Sequence, residues 1–237
     1  MAEHIVSSYE NELRGLAAKI AEMGGMAEGL VADAVQALTR MDTALAQKVI
    51  LTDTRLDRLQ REVEQNAILV IARRQPMAVD LREVVGALRV SSDLERVGDL
   101  AKNIAKRVMA IGPNLNAKTA LIGVEHLSEI ALEQLKAVLD AYTARDDASA
   151  LKVRDRDDEI DALYTSLFRE LLTYMMEDPR SISSCAHLLF VAKNIERIGD
   201  HTTNIAETVH YVVTGEQMTD ERPKSDASSL LKVAGQE

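Results

Sequence analysis

An eleven-residue segment occurs twice in the chain, about a hundred residues apart. Residues 95–105 read ERVGDLAKNIA and residues 196–206 read ERIGDHTTNIA, with seven of the eleven positions identical. An internal repeat of this quality indicates a duplicated structural unit. The identical positions are mostly polar, which a packed core alone does not require, so we expect the repeated segments to bind something.

The composition favours an all-α protein. Hydrophobic residues make up 46% of the chain, but aromatic residues only 3%, and the four prolines leave long uninterrupted stretches. Apolar residues recur at helical spacing almost throughout, which is typical of amphipathic helices. The pattern predicts six helices, at roughly residues 4–40, 44–74, 78–111, 117–144, 148–177 and 181–214. The predicted breaks are Met41-Asp42, Gln75-Pro76, Gly112-Pro113-Asn114, Arg145-Asp146-Asp147 and Asp178-Pro179.

The duplication organises these helices into two units. Residues 5–111 form the first three-helix repeat and residues 117–214 the second, while residues 215–237 are polar, aperiodic and expected to be a disordered tail. Short connections imply antiparallel neighbours in a bundle. The predicted fold is therefore all-α, with two tandem three-helix bundles related by pseudo-two-fold symmetry.

Charge and cysteine content exclude several classes of protein. A net charge of −10 argues against nucleic acid as the main ligand, because phosphate backbones need a basic surface. The single cysteine, Cys185, can form neither an internal disulfide nor a thiolate zinc site. No signal peptide and no apolar stretch of membrane-spanning length is evident. We expect a cytoplasmic protein without membrane insertion.

Each predicted repeat carries two pairs of carboxylates spaced by four residues, which places each pair on one helix face. The centre of Asp53 and Asp57 is residue 55, that of Glu95 and Asp99 is residue 97, and their midpoint is Pro76 in the predicted turn. Antiparallel helices therefore bring both pairs to the same level, within about 5 Å. The same coincidence occurs in the second repeat. Its carboxylates are Asp157, Asp161, Glu196 and Asp200.

The direction of these carboxylates follows from the apolar stripe of each helix. Glu95 and Asp99 lie nearly opposite their stripe, and Asp53 and Asp57 on its flank, so we expect four carboxylates on the surface of each repeat rather than in its core. Four like charges repel unless a positive group lies among them. Oxygen ligands suit magnesium, calcium, manganese or iron, with zinc also open. The simpler alternative is a solvated acidic face.

The ERxGD segments resemble those of the PhoU family. The residues that carry the resemblance in the first repeat are Gln75-Pro76, Asp80-Leu81-Arg82 and Asp93-Leu94-Glu95-Arg96-Val97-Gly98-Asp99. Those in the second are Asp178-Pro179-Arg180, His187-Leu188-Leu189-Phe190 and Asn194-Ile195-Glu196-Arg197-Ile198-Gly199-Asp200-His201.

This resemblance implies a cytoplasmic, dimeric, non-enzymatic negative regulator of phosphate uptake and of the phosphate-starvation response. It implies two partners, the ATPase subunit of the phosphate transporter and the phosphate-sensing histidine kinase. It also implies iron or zinc clusters on the eight carboxylates, with manganese and magnesium left open. Four further residues are expected to support these sites or to face a partner: Arg96, Arg197, Asn103 and Asn204.

Two other functions stay open at this point, a carboxylate-bridged metalloenzyme or metal-storage bundle and a purely structural bundle without a ligand. Glu207 and His210 match half of the Glu-x-x-His signature of di-iron bundles, but the first repeat lacks it. His201 is interpreted as a helix-surface histidine and Cys185 as a packed thiol. Because no nucleophile and base are suitably arranged, the sequence predicts no catalytic site.

Overall fold

In the computed structural model of the chain, residues 2–111 and 118–219 are described, with side chains for 9–111 and 120–219. These residues form helices and no strands. A short 3₁₀ turn, Pro179–Ser181, precedes the last helix. The helices are α1 (Ala2–Arg40), α2 (Thr43–Arg74), α3 (Val79–Ile111), α4 (Lys118–Ala144), α5 (Asp147–Asp155), α6 (Asp157–Glu177) and α7 (Ile182–Thr214).

The helices pack as two units that share one core, the first of three helices and the second of four, because one helix of the second unit is split in two. Helices α1, α2 and α3 pack against one another, and α7 packs against α4, α5 and α6. The two units meet where α3 packs along α7 and α1 contacts α4. Buried aliphatic side chains from both units form a continuous cluster. The predicted all-α fold with two related helical bundles is confirmed.

Equivalent turns in the two units have the same chemistry. Met41 and Arg145 adopt left-handed φ angles of 50° and 53°, and an aspartate follows each of them as the N-cap of the next helix. The Asp42 side chain accepts a hydrogen bond from the backbone N–H of Leu45, which satisfies one of the free donors at the start of α2. The breaks predicted at these two sites and before the prolines at 76 and 179 are confirmed. The break at 112–114 and the tail from residue 220 lie outside the described residues.

The predicted single helix 148–177 is wrong, because the chain breaks at Arg156 between α5 and α6. No proline or glycine marks the break. Instead, the buried side chain of Gln134 on α4 donates a hydrogen bond of 3.0 Å to the carbonyl oxygen of Arg156. The Arg156 guanidinium contacts Glu159 and Glu133, both at 3.0 Å. Partners on a neighbouring helix thus compensate the interrupted helix, and Asp157 becomes the first residue of α6.

Candidate functional site

The structure brings the predicted carboxylates together in two clusters. The first cluster consists of Asp53 and Asp57 on α2 with Glu95 and Asp99 on α3. The second cluster consists of Asp157 and Asp161 on α6 with Glu196 and Asp200 on α7. In each cluster the charges of the facing helices are close enough to perturb one another, as expected for pairs at the same level of a hairpin.

Burial of the clusters differs from the prediction that every carboxylate points to the surface. Asp53, Asp157, Asp161 and Glu196 are buried, with exposed fractions of 1%, 3%, 5% and 6%. Asp57, Glu95, Asp99 and Asp200 are half-buried. The prediction is therefore wrong for four of the eight. The apolar stripe of α3 faces the other helices of the core, but α2 covers the side of α3 that carries the carboxylates. In the second unit, α6 covers α7 in the same way.

Glycines explain how the covering helix comes so close. A Cβ atom at Gly98 would lie 2.4 Å from Cδ2 of Leu56 and 3.1 Å from Oδ1 of Asp53. At the equivalent Gly199, a Cβ atom would lie 2.8 Å from Cδ1 of Ile160. Each glycine of the ERxGD segments thus allows the preceding helix to pack directly against the backbone. This close approach takes Asp53 and its equivalent Asp157 out of solvent.

Lys102 on α3 provides the positive charge of the first cluster. Its Nζ atom lies 2.5 Å from Oδ2 of Asp53 and 2.8 Å from Oδ1 of Asp99, so it links α2 to α3. Arg96 lies at the rim, with nitrogen atoms 3.5 Å from carboxylate oxygens of Glu95 and Asp99. Lys102 was missed at the sequence level, although its position three residues after Asp99 on the same helix is a detectable signal.

The second cluster has a different set of polar partners. Lys193, one turn before Glu196, contacts Oε1 of Glu196 at 2.7 Å and lies over the ring of Tyr164. Thr203, at the position equivalent to Lys102, donates a hydrogen bond to Oδ1 of Asp157 at 3.1 Å. Asp157 also lies in the first turn of α6, where the helix dipole favours negative charge.

Burial is the main cause of the pKa shifts in both clusters. Desolvation raises the pKa of Asp53, Glu95 and Glu196. The neighbouring cations, Lys102, Arg96 and Lys193, oppose this shift, and neighbouring carboxylates add to it. Burial alone would lower the pKa of Lys102, but its hydrogen bonds to Asp53 and Asp99 outweigh this effect and raise it above the ordinary range. The lysine ammonium is therefore held in its charged form by the first cluster.

Within the two clusters, two buried carboxylate oxygens have no hydrogen-bond partner, Oδ1 of Asp53 and Oε2 of Glu196. Such an atom costs free energy unless another group compensates it. Among the side chains that the structure describes, however, no three of His, Cys, Asp and Glu are arranged to hold a metal ion as they stand. A metal ion at either cluster therefore requires its carboxylates to turn toward a common point.

The other predicted supporting residues have separate environments. Arg197 and Asn103 are exposed. Asn204 donates to Oδ1 of Asp93 on α3 at 3.2 Å, so it contributes to the contact between the two units. His201 Nδ1 lies 2.9 Å from the same oxygen, which makes the prediction of a helix-surface histidine wrong. Sequence inspection did not pair Asp93 with His201, because they belong to different repeats.

The residues that the sequence analysis considered but did not assign to a metal site have other contacts. His210 Nδ1 lies 2.8 Å from Oδ1 of Asp147, and Glu207 lies 3.5 Å from the Arg154 guanidinium. Cys185 is a buried free thiol, as predicted.

Across residues 2–111 and 118–219, no helix has the length and apolar character needed to cross a membrane.

The fold and the two clusters define a class of protein, an all-α pair of helical repeats with a duplicated acidic signature. The PhoU domain model matches the chain twice, at residues 20–108 and 124–209. The chain therefore belongs to the PhoU domain family, and it is an accessory protein rather than an enzyme. The boundaries 5–111 and 117–214 for the repeats stay predictions.

Known proteins of this family match nearly the whole chain. It is 59% identical over 228 residues to the phosphate-specific transport system accessory protein PhoU homolog of Rhizobium meliloti, covering 96% of each chain. It is 52% identical to the homolog of Caulobacter vibrioides, covering 97% of this chain and 100% of that protein. The crystal structure of PhoU from Pseudomonas aeruginosa matches with a TM-score of 0.84 and 36% identity, covering 88% of this chain and 100% of that one.

Proposed function

We propose that this protein regulates phosphate transport, restraining phosphate uptake and the phosphate-starvation response when phosphate is plentiful. One observation carries the proposal, the near full-length similarity to accessory proteins of phosphate-specific transport systems. The protein acts as a cytoplasmic adaptor and a homodimer. Its two partners are the ATPase subunit of the phosphate transporter and the phosphate-sensing histidine kinase.

Exposed apolar side chains at the hairpin ends support the adaptor role. Met77 and Val79, beside the turn between α2 and α3, are 81% and 48% exposed. Met176 and Ile182, beside the turn between α6 and α7, are 84% and 48% exposed. Large apolar side chains that remain in water near one another are typical of surfaces that bind another protein. A docking role for both hairpin ends would explain them.

We also propose that the second carboxylate cluster binds a metal ion, with iron or zinc tested first and manganese or magnesium next. Glu196 supports this proposal most directly, because its buried Oε2 atom has no hydrogen-bond partner and the charges of Asp161 and Asp200 lie nearby. Asp157, Asp161, Glu196 and Asp200 would hold the ion. A bound cation would compensate the buried Oε2 atom of Glu196, because the contact of Lys193 with Oε1 leaves that atom without a partner.

A reporter strain tests the regulatory proposal. Deleting the gene should switch on a phosphate-starvation reporter in phosphate-rich medium, and the wild-type gene should silence it again. A reporter that stays silent in the deletion strain would refute the regulatory function. Complementation with Met77→Ser plus Met176→Ser should fail, whereas Ile122→Ser, an exposed control at 67%, should complement. Full complementation by the double variant would remove the hairpin ends from the proposal.

Metal analysis of the purified protein tests the second proposal. Wild-type protein from cells supplied with iron and zinc should contain metal, and Glu196→Gln should lower that content. Equal and negligible metal in both proteins would contradict metal binding and would leave the regulatory proposal untouched.

A further inference from the structure

In the first cluster, a cation is already supplied by the chain itself. The Lys102 ammonium contacts one oxygen of Asp53 at 2.5 Å and one of Asp99 at 2.8 Å. These two oxygens belong to different helices, so the ammonium links α2 to α3 within the cluster. The lysine side chain is only 22% exposed, so it is held within the cluster rather than extended into solvent.

Asp53 shows why a positive charge is needed at this place. Its side chain is 1% exposed, and its second oxygen, Oδ1, has no hydrogen-bond partner. A buried carboxylate with only one bonded oxygen is costly unless a charge of opposite sign lies against it. Arg96 does not fill this role, because it is 59% exposed and lies beside Glu95 and Asp99.

In the second repeat, the equivalent buried carboxylate, Asp157, is compensated in another way. Thr203 occupies the position of Lys102, and its hydroxyl donates to Asp157, the equivalent of Asp53. A hydroxyl carries no charge, and the ammonium of the second cluster, Lys193, contacts Glu196. Asp157 also lies in the first turn of α6, which begins after the break at Arg156. Asp53 lies within α2, more than two turns from its start, and receives no such help.

We propose that Lys102 is a built-in counter-ion that takes the place of a metal ion in the first cluster and keeps metal ions out of it. Metal bound through these carboxylates is then held at the second cluster alone. The inference rests on one part of the proposed function, that the clusters are sites for cations, and is independent of phosphate regulation.

The test is a Mn²⁺ titration of the full-length protein, with free Mn²⁺ measured by electron paramagnetic resonance. The background variant is Glu196→Gln with Asp200→Asn, so that only the first cluster has its carboxylates complete. Lys102→Thr is added to this background to introduce the residue of the second repeat. Lys106→Thr, an exposed lysine on the same helix, makes the same change in net charge and is the matched control.

The background protein should bind little Mn²⁺, and Lys102→Thr should add about one ion per chain with an affinity at least about tenfold higher. Lys106→Thr should add none. Added Mn²⁺ should also raise the melting temperature of the Lys102→Thr protein and not that of the control. If Lys102→Thr does not fold, Lys102→Gln serves instead, because it removes the charge but keeps a hydrogen-bond donor at this position.

Three results would overturn the inference. The first is that the background protein binds Mn²⁺ as tightly as the Lys102→Thr protein. The second is that the Lys102 variants bind no more Mn²⁺ than the background protein. The third is that Lys106→Thr increases Mn²⁺ binding as much as Lys102→Thr does. Absence of metal in the wild-type protein would count against the proposed function of the second cluster. It would leave the comparison of Lys102 with Lys106 intact.

Discussion

Substituting Gly98 by alanine tests whether close helix packing places the first carboxylate cluster. The added Cβ atom would lie 2.4 Å from Cδ2 of Leu56, whereas carbon atoms in contact are separated by about 3.5–4.0 Å. Leu56 is fully buried, so its side chain has little room to turn away. The overlap of more than about 1 Å must therefore separate α2 from α3 or force Leu56 out of its rotamer.

Two opposing contributions determine how much Gly98→Ala changes the free energy of unfolding. Alanine favours a helix interior over glycine by about 1 kcal/mol, and overpacking a core costs about 1–3 kcal/mol. Gly25 isolates the first contribution, because it is helical and a Cβ atom there meets nothing within 4 Å. Gly25→Ala should raise the free energy of unfolding by about 1 kcal/mol, and Gly98→Ala should fall below it by about 1–3 kcal/mol.

Urea unfolding followed by circular dichroism at 222 nm measures both variants. Leu56→Ala provides the decisive check, because it removes the atom that the new Cβ would approach most closely. In that background, Gly98→Ala should become stabilising, with a coupling of about 1–3 kcal/mol between the two positions. If Gly98→Ala stabilises the wild-type protein as much as Gly25→Ala does, the steric explanation for the close approach of α2 to α3 is refuted.

Two further predictions concern the second repeat. Gln134→Met should lower the free energy of unfolding by about 1 kcal/mol in the same urea assay, because the carbonyl of Arg156 loses its donor. The control Gln47→Met, at an exposed position, should change it by less than about 0.5 kcal/mol. Equal effects would contradict the account of the helix break. Burial raises the pKa of Glu196, so the folded protein retains a proton that the unfolded chain releases. As pH rises from the ordinary glutamate pKa through the raised one, Glu196 should therefore lower the free energy of unfolding. Glu196→Gln should remove this part of the pH dependence. The same pH profile in wild type and variant would refute the prediction.

Most of the fold could be predicted from local sequence patterns. Helical periodicity located the helices, and cap residues such as Asp42 and Asp146 located their ends, because both act within a few residues along the chain. The break at Arg156 could not be found in this way. It depends on Gln134 and Glu133, which are distant in sequence and reach it from a neighbouring helix.

The membership of the candidate site was predictable, but its environment was not. Spacing of four residues and equal distance from a turn brought the carboxylates to one level, and both are properties of helix geometry alone. The apolar stripe of α3 indicated that Glu95 and Asp99 face water. The stripe of a single helix does not reveal that α2 covers the other side, with Gly98 allowing Asp53 to approach.

The sequence by itself determined that two helical repeats each carry four carboxylates at matched levels, because periodicity and repetition are written along the chain. Only the tertiary structure decided which carboxylates leave water and which cation meets them. Burial is set by the distance between helices, and charge pairing by side chains that different helices contribute. Lys102 between Asp53 and Asp99 depends on both, so it became visible only when α2 and α3 were packed together.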